Sequence, residues 1–122
     1  MSEKPKILVV DDDTSTLQII LIVLANAGYN VVLDNKAELS FLKDGNYPDL
    51  ILLDNNLGER TGLEICKELK EHKVTTHIPI IIISAMEDVR QMATDANADD
   101  FLPKPFGIKP LLTKIERLLN KS

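Results

Sequence analysis

Three carboxylates, a hydroxyl and a lysine each come directly after a short apolar run. Asp11 and Asp12 come after residues 7–10, Asp54 after residues 50–53, Ser84 after residues 78–83, and Lys104 just beyond residues 101–102. Grouped carboxylate oxygens make a hard site that suits Mg2+ or Mn2+. A lysine and a hydroxyl beside such a metal complete a set able to stabilise a phosphoryl group: cations for its charge and a hydrogen-bond donor for its oxygens. Asp54, alone at the end of its run, is the candidate nucleophile, and its attack on phosphorus gives an acyl phosphate. Like charges about 4 Å apart repel by roughly 4 kcal/mol per pair at an effective dielectric near 20. A cluster such as Asp11-Asp12-Asp13 therefore belongs on a solvated loop or beside a cation.

Other polar residues read as structural. Asp13, beside Thr14 and Ser15, has the chemistry of a helix cap and loop. His72 and His77 lie in a charged connection away from the carboxylates, so a zinc site is not expected, and the spacing of an EF-hand loop is absent. Lys6 and Asp49, at the amino ends of their runs, are expected to be solvated.

The elements that must position the polar set are given by periodicity. Apolar runs at residues 7–10, 31–33, 50–53, 78–83 and 101–102 have the composition of strands. Residues 51–53 and 80–83 show no polar alternation, as in parallel strands covered on both faces. Between the runs lie helical patterns. Leu17, Ile20, Leu21 and Leu24 form one stripe, closed by Gly28. Ile108, Leu111, Leu112, Ile115, Leu118 and Leu119 form another. Ser15-x-x-Gln18, Asn35-x-x-Glu38 and Thr61-x-x-Glu64 resemble capping boxes. Residues 87–96, with the stripe Val89, Met92, Ala93 and Ala96, form the weakest helix. Five β-α repeats predict an α/β fold: a doubly wound, five-stranded parallel sheet in the order 2-1-3-4-5, helices on both faces, flavodoxin-like. In that order the first and third strands are neighbours. Asp11, Asp12 and Asp54 then converge on the crevice at the strands' carboxyl ends, with Lys104 arriving from the other side and Ser84 between.

The chain has 122 residues, which predicts one domain over residues 1–122. Its net charge of −5, with no basic cluster, argues against direct binding of nucleic acid or an anionic membrane. No apolar run reaches membrane-spanning length. Residues 1–6 are short and charged, unlike a signal peptide. The lone Cys66 fits a small core residue in a reducing compartment. A cytoplasmic protein is expected, with no room for an output domain after the last helix.

Four motifs carry a resemblance: Ile7-Leu8-Val9-Val10-Asp11-Asp12, Asp49-Leu50-Ile51-Leu52-Leu53-Asp54, Pro79-Ile80-Ile81-Ile82-Ile83-Ser84-Ala85, and Ala98-Asp99-Asp100-Phe101-Leu102-Pro103-Lys104-Pro105-Phe106. In this order and spacing the chain resembles a receiver domain of two-component response regulators, of the chemotaxis-receiver type. The resemblance implies a phosphoacceptor signalling domain rather than a turnover enzyme. Asp54 matches the phosphoacceptor, Asp12 the direct acidic Mg2+ ligand, and Asp11 the ligand that acts through water. Asn56 matches the position whose backbone carbonyl completes the metal site. Ser84 and Lys104 match the residues that meet the phosphoryl oxygens, and Phe101 the aromatic that turns inward on activation. The Lys104–Pro105 bond is cis in most of the family. The implied donor is the phosphohistidine of a sensor histidine kinase or a phosphotransfer protein. The downstream effector is left unnamed, and the face around residues 87–96, the last strand and the last helix is the expected readout.

Several positions depart from the family pattern. Gly58 stands where proline is usual, which predicts a less preorganised loop, and Asn97 replaces a frequent glycine, which the left-handed tolerance of asparagine allows. Asn56 and Met86, at positions that tune dephosphorylation, are not acidic. Three rival functions fit the residues less well. A haloacid-dehalogenase-type phosphatase needs further acids after a late strand, where this chain has Lys104. A flavodoxin-like flavin binder needs a phosphate-cradling loop, where Asp11–Asp13 repel phosphate. A pseudo-receiver that binds partners without phosphorylation is disfavoured by the intact acidic set.

Overall fold

The computed structural model describes residues 4–120; residues 1–3 of the charged leader lie outside it. The strands are β1 (Lys6–Val10), β2 (Asn30–Asp34), β3 (Leu50–Asp54), the two-residue β4 (Asn56–Leu57) and β5 (Arg60–Thr61), β6 (Ile80–Ser84) and β7 (Asp100–Pro103). The helices are α1 (Thr14–Asn26), α2 (Phe41–Asp44), α3 (Gly62–Glu71), α4 (Val89–Asp95) and α5 (Ile108–Leu119). The main sheet runs β2-β1-β3-β6-β7, all neighbours parallel. Taken as the five long strands in chain order, this is the expected 2-1-3-4-5 arrangement. β3 and β6 are buried along their whole length, as their unbroken apolar sequences require.

Alternation along the strands divides the interior into two layers. Leu8, Val10, Ile51, Leu53, Ile80, Ile82 and Phe101 face α3 and α4. Ile7, Val9, Leu50, Leu52, Ile81, Ile83 and Leu102 face α1 and α5. Successive side chains on a strand point to opposite faces, so covering both faces makes the middles of β1, β3 and β6 apolar without alternation.

Local departures have identifiable causes. α1 is capped by Asp13 and not by Ser15: its carboxylate accepts the Ser15 amide at 3.0 Å and the Thr16 hydroxyl at 2.8 Å. The Ser15 box is thus displaced by a stronger acceptor two residues earlier. The Asn35 box does not form. The Asp34 carboxylate instead accepts the amides of Lys36, Glu38 and Leu39, which holds residues 35–40 in a loop and leaves α2 a single turn. Only the Thr61–Glu64 box is present, with both of its reciprocal bonds. Met92 and Ile108, assigned to apolar stripes, are exposed; Val89 and Ala93 carry α4, and Leu111, Ile115 and Leu118 carry α5. Asn97 takes φ +67, and the Lys104–Pro105 bond is cis. His72 and His77 are both exposed.

Cys66 lies on the buried side of α3, its Sγ 3.6 Å from the Ala96 carbonyl. Burial pushes the thiol up to about 11, with Lys70 pulling the other way. A thiol held protonated and out of contact with water is a poor nucleophile. We expect Cys66 to resist Ellman's reagent at pH 8 in the folded chain and to react at once in denaturant. Rapid native-state labelling would contradict the packing.

Candidate functional site

The polar residues come together at the carboxyl ends of β1, β3, β6 and β7. Asp11, Asp12, Asp54, Asn56, Ser84 and Lys104 all line one cleft of about 560 Å3. One carboxylate oxygen from each of Asp11, Asp12 and Asp54 lies within 4.8 Å of the others. Asp11 and Asp54 are buried, whereas Asp12 faces solvent. Three hard oxygen donors in this space, and no sulfur or imidazole among them, fit an ion of the Mg2+ type with water completing its shell.

Lys104 is the positive counterweight. Its ammonium is 2.6 Å from Asp54 Oδ1 and 3.7 Å from Asp11 Oδ2. Burial works to lower its pKa, but the hydrogen bond and charge of Asp54, backed by Asp11, outweigh burial and hold it above the ordinary lysine value. Asp11 is raised above the ordinary carboxylate range, chiefly by burial. The Asp13 amide, 2.9 Å from its Oδ1, opposes that shift and the Asp54 charge reinforces it.

Each side chain is fixed by backbone geometry. The Asp11 amide donates to the Asp34 carbonyl at 3.2 Å, which extends the β1–β2 ladder to the edge of the cleft. Asp54 Oδ2 accepts the Asn56 amide at 2.9 Å. Ser84 Oγ accepts the Met86 amide at 3.0 Å, and this leaves its own hydroxyl proton free to donate. The Lys104 amide donates to the Ser84 carbonyl at 2.9 Å, so the ends of β6 and β7 are tied together. Phe101, further back along β7, is buried in the α3/α4 layer, with the Arg90 guanidinium 4.8 Å over its ring.

The loop after Asp54 holds two residues to which sequence reasoning assigned no role. The Asn55 carbonyl accepts the Gly62 amide at 2.9 Å and its side chain accepts the Leu63 amide at 3.2 Å, so Asn55 satisfies the first amides of α3. A Cβ on Gly62 would stand 2.4 Å from the Asp54 carbonyl oxygen. A glycine at the start of a helix is no sequence signal of such an approach, since it reads equally well as ordinary turn chemistry. Between them, Asn56–Leu57 and Arg60–Thr61 form a small antiparallel hairpin. Gly58 takes φ +81 at the first of its two turn residues, a position suited to glycine. The loop that looked loose for want of proline is thus built around that glycine.

The sequence and fold resemble those of known proteins. A family model described as the response regulator receiver domain matches residues 7–116. The response regulator MprA of Mycobacterium sp. (strain KMS) is 36% identical over 120 residues, covering 96% of this chain and 51% of that protein. The alkaline phosphatase synthesis transcriptional regulatory protein PhoP of Bacillus subtilis (strain 168) is 32% identical over 120 residues, covering 96% of this chain and 49% of that protein. The chain therefore spans about half the length of the curated relatives it matches. Among solved structures, the chemotaxis protein CheY4 of Vibrio cholerae superposes with a TM-score of 0.84 at 27% identity, covering 94% of this chain and 98% of that one. The signal receiver domain of a signal transduction histidine kinase from Syntrophus aciditrophicus gives 0.86 at 27% identity, covering 97% and 94%. No helix among the described residues is long and apolar enough to cross a membrane. With the family model matching residues 7–116 and the fold agreeing, the chain belongs to the response regulator receiver domain family.

Proposed function

We propose that the chain accepts a phosphoryl group on Asp54 from the phosphohistidine of a sensor histidine kinase or a phosphotransfer protein. The observation that carries this reading is the Asp54 carboxylate itself, buried at the end of the central strand and held between the Lys104 ammonium and the acidic pair. Asp11, Asp12, Asp54 and the backbone carbonyl of Asn56 are the residues that would hold Mg2+, or Mn2+ in its place. When bound, the ion supplies positive charge that offsets the carboxylates and the phosphoryl oxygens.

A carboxylate oxygen of Asp54 attacks phosphorus in line. The new oxygen–phosphorus bond forms as the phosphorus–imidazole bond breaks, and the leaving histidine takes up a proton. Lys104 already reaches Asp54 and meets one phosphoryl oxygen, while the free hydroxyl proton of Ser84 meets another. Ser84 can leave the Met86 amide to do so, and the Lys104–Ser84 backbone tie carries the movement into β7. Phe101 and the Arg90 side chain across it link β7 to α4. α4 is seven residues long and buries only Val89 and Ala93, so shifting it disrupts little packing. The face formed by α4, β7 and α5 is the proposed readout for a downstream effector. A phosphatase reading lacks support, because the late strand leads to Lys104 and not to an acidic pair.

The test is intact mass after incubation with acetyl phosphate and Mg2+. We expect one added phosphoryl group on the native chain and none on Asp54→Asn or with Mg2+ chelated. No gain on the native chain, or an undiminished gain on the variant, overturns the assignment.

A further inference from the structure

The two edges of the sheet are protected differently. β7 carries Pro103 in its strand, and its Asp100 is paired with Lys114 and Arg117. β2 reads Asn30-Val31-Val32-Leu33-Asp34, with no lysine, proline or bulge. Such guards are what monomeric proteins place on an edge to prevent strand pairing. The neighbouring surface is equally bare. From Thr14 to Leu33 the chain has no charged residue, although its net charge is −5. Ile22, Val32 and Leu33 are 61%, 46% and 37% exposed. On the other face α2, a single turn, leaves a groove beside Val32 and Leu33 uncovered, whose far wall carries Lys6, Glu38 and Asp44.

The backbone of β2 specifies how this edge can be filled. The Asn30 amide donates to the Pro5 carbonyl, and the Asp34 carbonyl accepts the Asp11 amide, so these residues direct their backbone groups at β1. Alternation sends those of Val32 the same way and turns the N–H and C=O of Val31 and Leu33 outward. Among the described residues β2 pairs only with β1, so these outward groups have no strand to bond. An antiparallel partner centred on Val32 meets them: Val31 and Leu33 of the second strand exchange both hydrogen bonds, on each side of a non-bonded Val32–Val32 pair.

We propose that β2 pairs antiparallel with β2 of a second copy in the register centred on Val32, joining two sheets into one. The polarity of β2 is palindromic about that residue, so Val31 meets Leu33, Val32 meets itself and Asn30 meets Asp34. The axis runs perpendicular to the sheet, so both α1 helices lie on the same face. Gln18 lines a cleft with Leu33, and the exposed Ile22 lies one turn further along α1 from it. Two negatively charged chains thereby meet through the uncharged Val31, Val32 and Leu33, with an Asp34 at each end of the seam opposite an uncharged Asn30. The same patch serves both copies, as an isologous interface requires.

Sedimentation of the unphosphorylated chain from low micromolar to near-millimolar concentration tests this. We expect a reversible rise from 13.6 kDa to twice that mass. Val32→Lys should stay monomeric with an unchanged melting curve and unchanged acceptance of phosphate from acetyl phosphate. Val32→Cys should form a disulfide dimer on the order of a hundredfold faster than Lys67→Cys, an exposed position on α3 outside the proposed seam, because dimerisation raises its effective concentration. Cys66 is buried and does not interfere. Three results overturn the proposal: a native chain monomeric throughout, association undiminished in Val32→Lys, or equal cross-linking of the two cysteine variants. A monomeric chain whose edge instead binds an unrelated extended peptide would also overturn it and assign the strand to a different partner.

Discussion

Replacing Gly62 with alanine is expected to destabilise the chain by about 3 kcal/mol and to abolish acceptance of phosphate on Asp54. The added methyl would lie 2.4 Å from the Asp54 carbonyl oxygen and 3.0 Å from its carbonyl carbon. Both are backbone atoms of the central strand, so no side-chain rotation relieves the clash. Either α3 retreats, breaking the Gly62–Asn55 and Leu63–Asn55 bonds, or the end of β3 moves and takes the Asp54 carboxylate away from Lys104. For a domain of this size the loss amounts to a drop of roughly 10 °C or more in melting temperature. Thermal melting and intact mass after acetyl phosphate are the two measurements. A variant that melts like the native chain and still takes up phosphate would show that the contact is slack.

Asp11→Asn has the opposite effect on stability. In Mg2+-free buffer at neutral pH it should raise stability by about 1–2 kcal/mol. Two buried carboxylates share this cleft, and a single lysine, closer to Asp54, offsets them. The pH dependence has a definite sign. Well below the ordinary carboxylate range Asp11 is protonated in folded and unfolded chains alike, and it favours neither. As the pH rises through the ordinary range towards its raised folded value, the unfolded chain ionises first and the folded state loses stability. The gain from Asp11→Asn should therefore be absent in acid and complete at neutral pH. Added Mg2+ should stabilise the native chain and have much less effect on the variant. Melting curves across pH, with chelator and with Mg2+, measure this. A variant less stable than the native chain under chelation would mean that the acidic cluster is not under electrostatic strain.

The polar constellation was legible because one rule decides most of it. Unbroken apolar runs such as residues 50–53 mark parallel strands, and residues at the carboxyl end of a parallel strand face the crevice. Asp11, Asp54, Ser84 and Lys104 could be placed together on that basis. Gly62 could not, because its requirement is space. It is set by how closely α3 returns to β3, and no local pattern encodes that distance. The second helix was overestimated because Asn35-x-x-Glu38 looks like a start signal only if its amides are free. The Asp34 carboxylate, held at the end of β2, takes them first. Met92 and Ile108 continue helical stripes by spacing, yet both side chains stay in solvent. Periodicity gives the face of a helix but not how far along it the sheet extends.

The two interior layers have no residue in common. The sheet is thus a partition, and each compartment can be remodelled without disturbing the other. Phe101 and Leu102, adjacent in sequence, answer to different neighbours on opposite sides of it. Changes that suit the α3/α4 side to a new binding companion need no compensation among the residues that anchor α1 and α5.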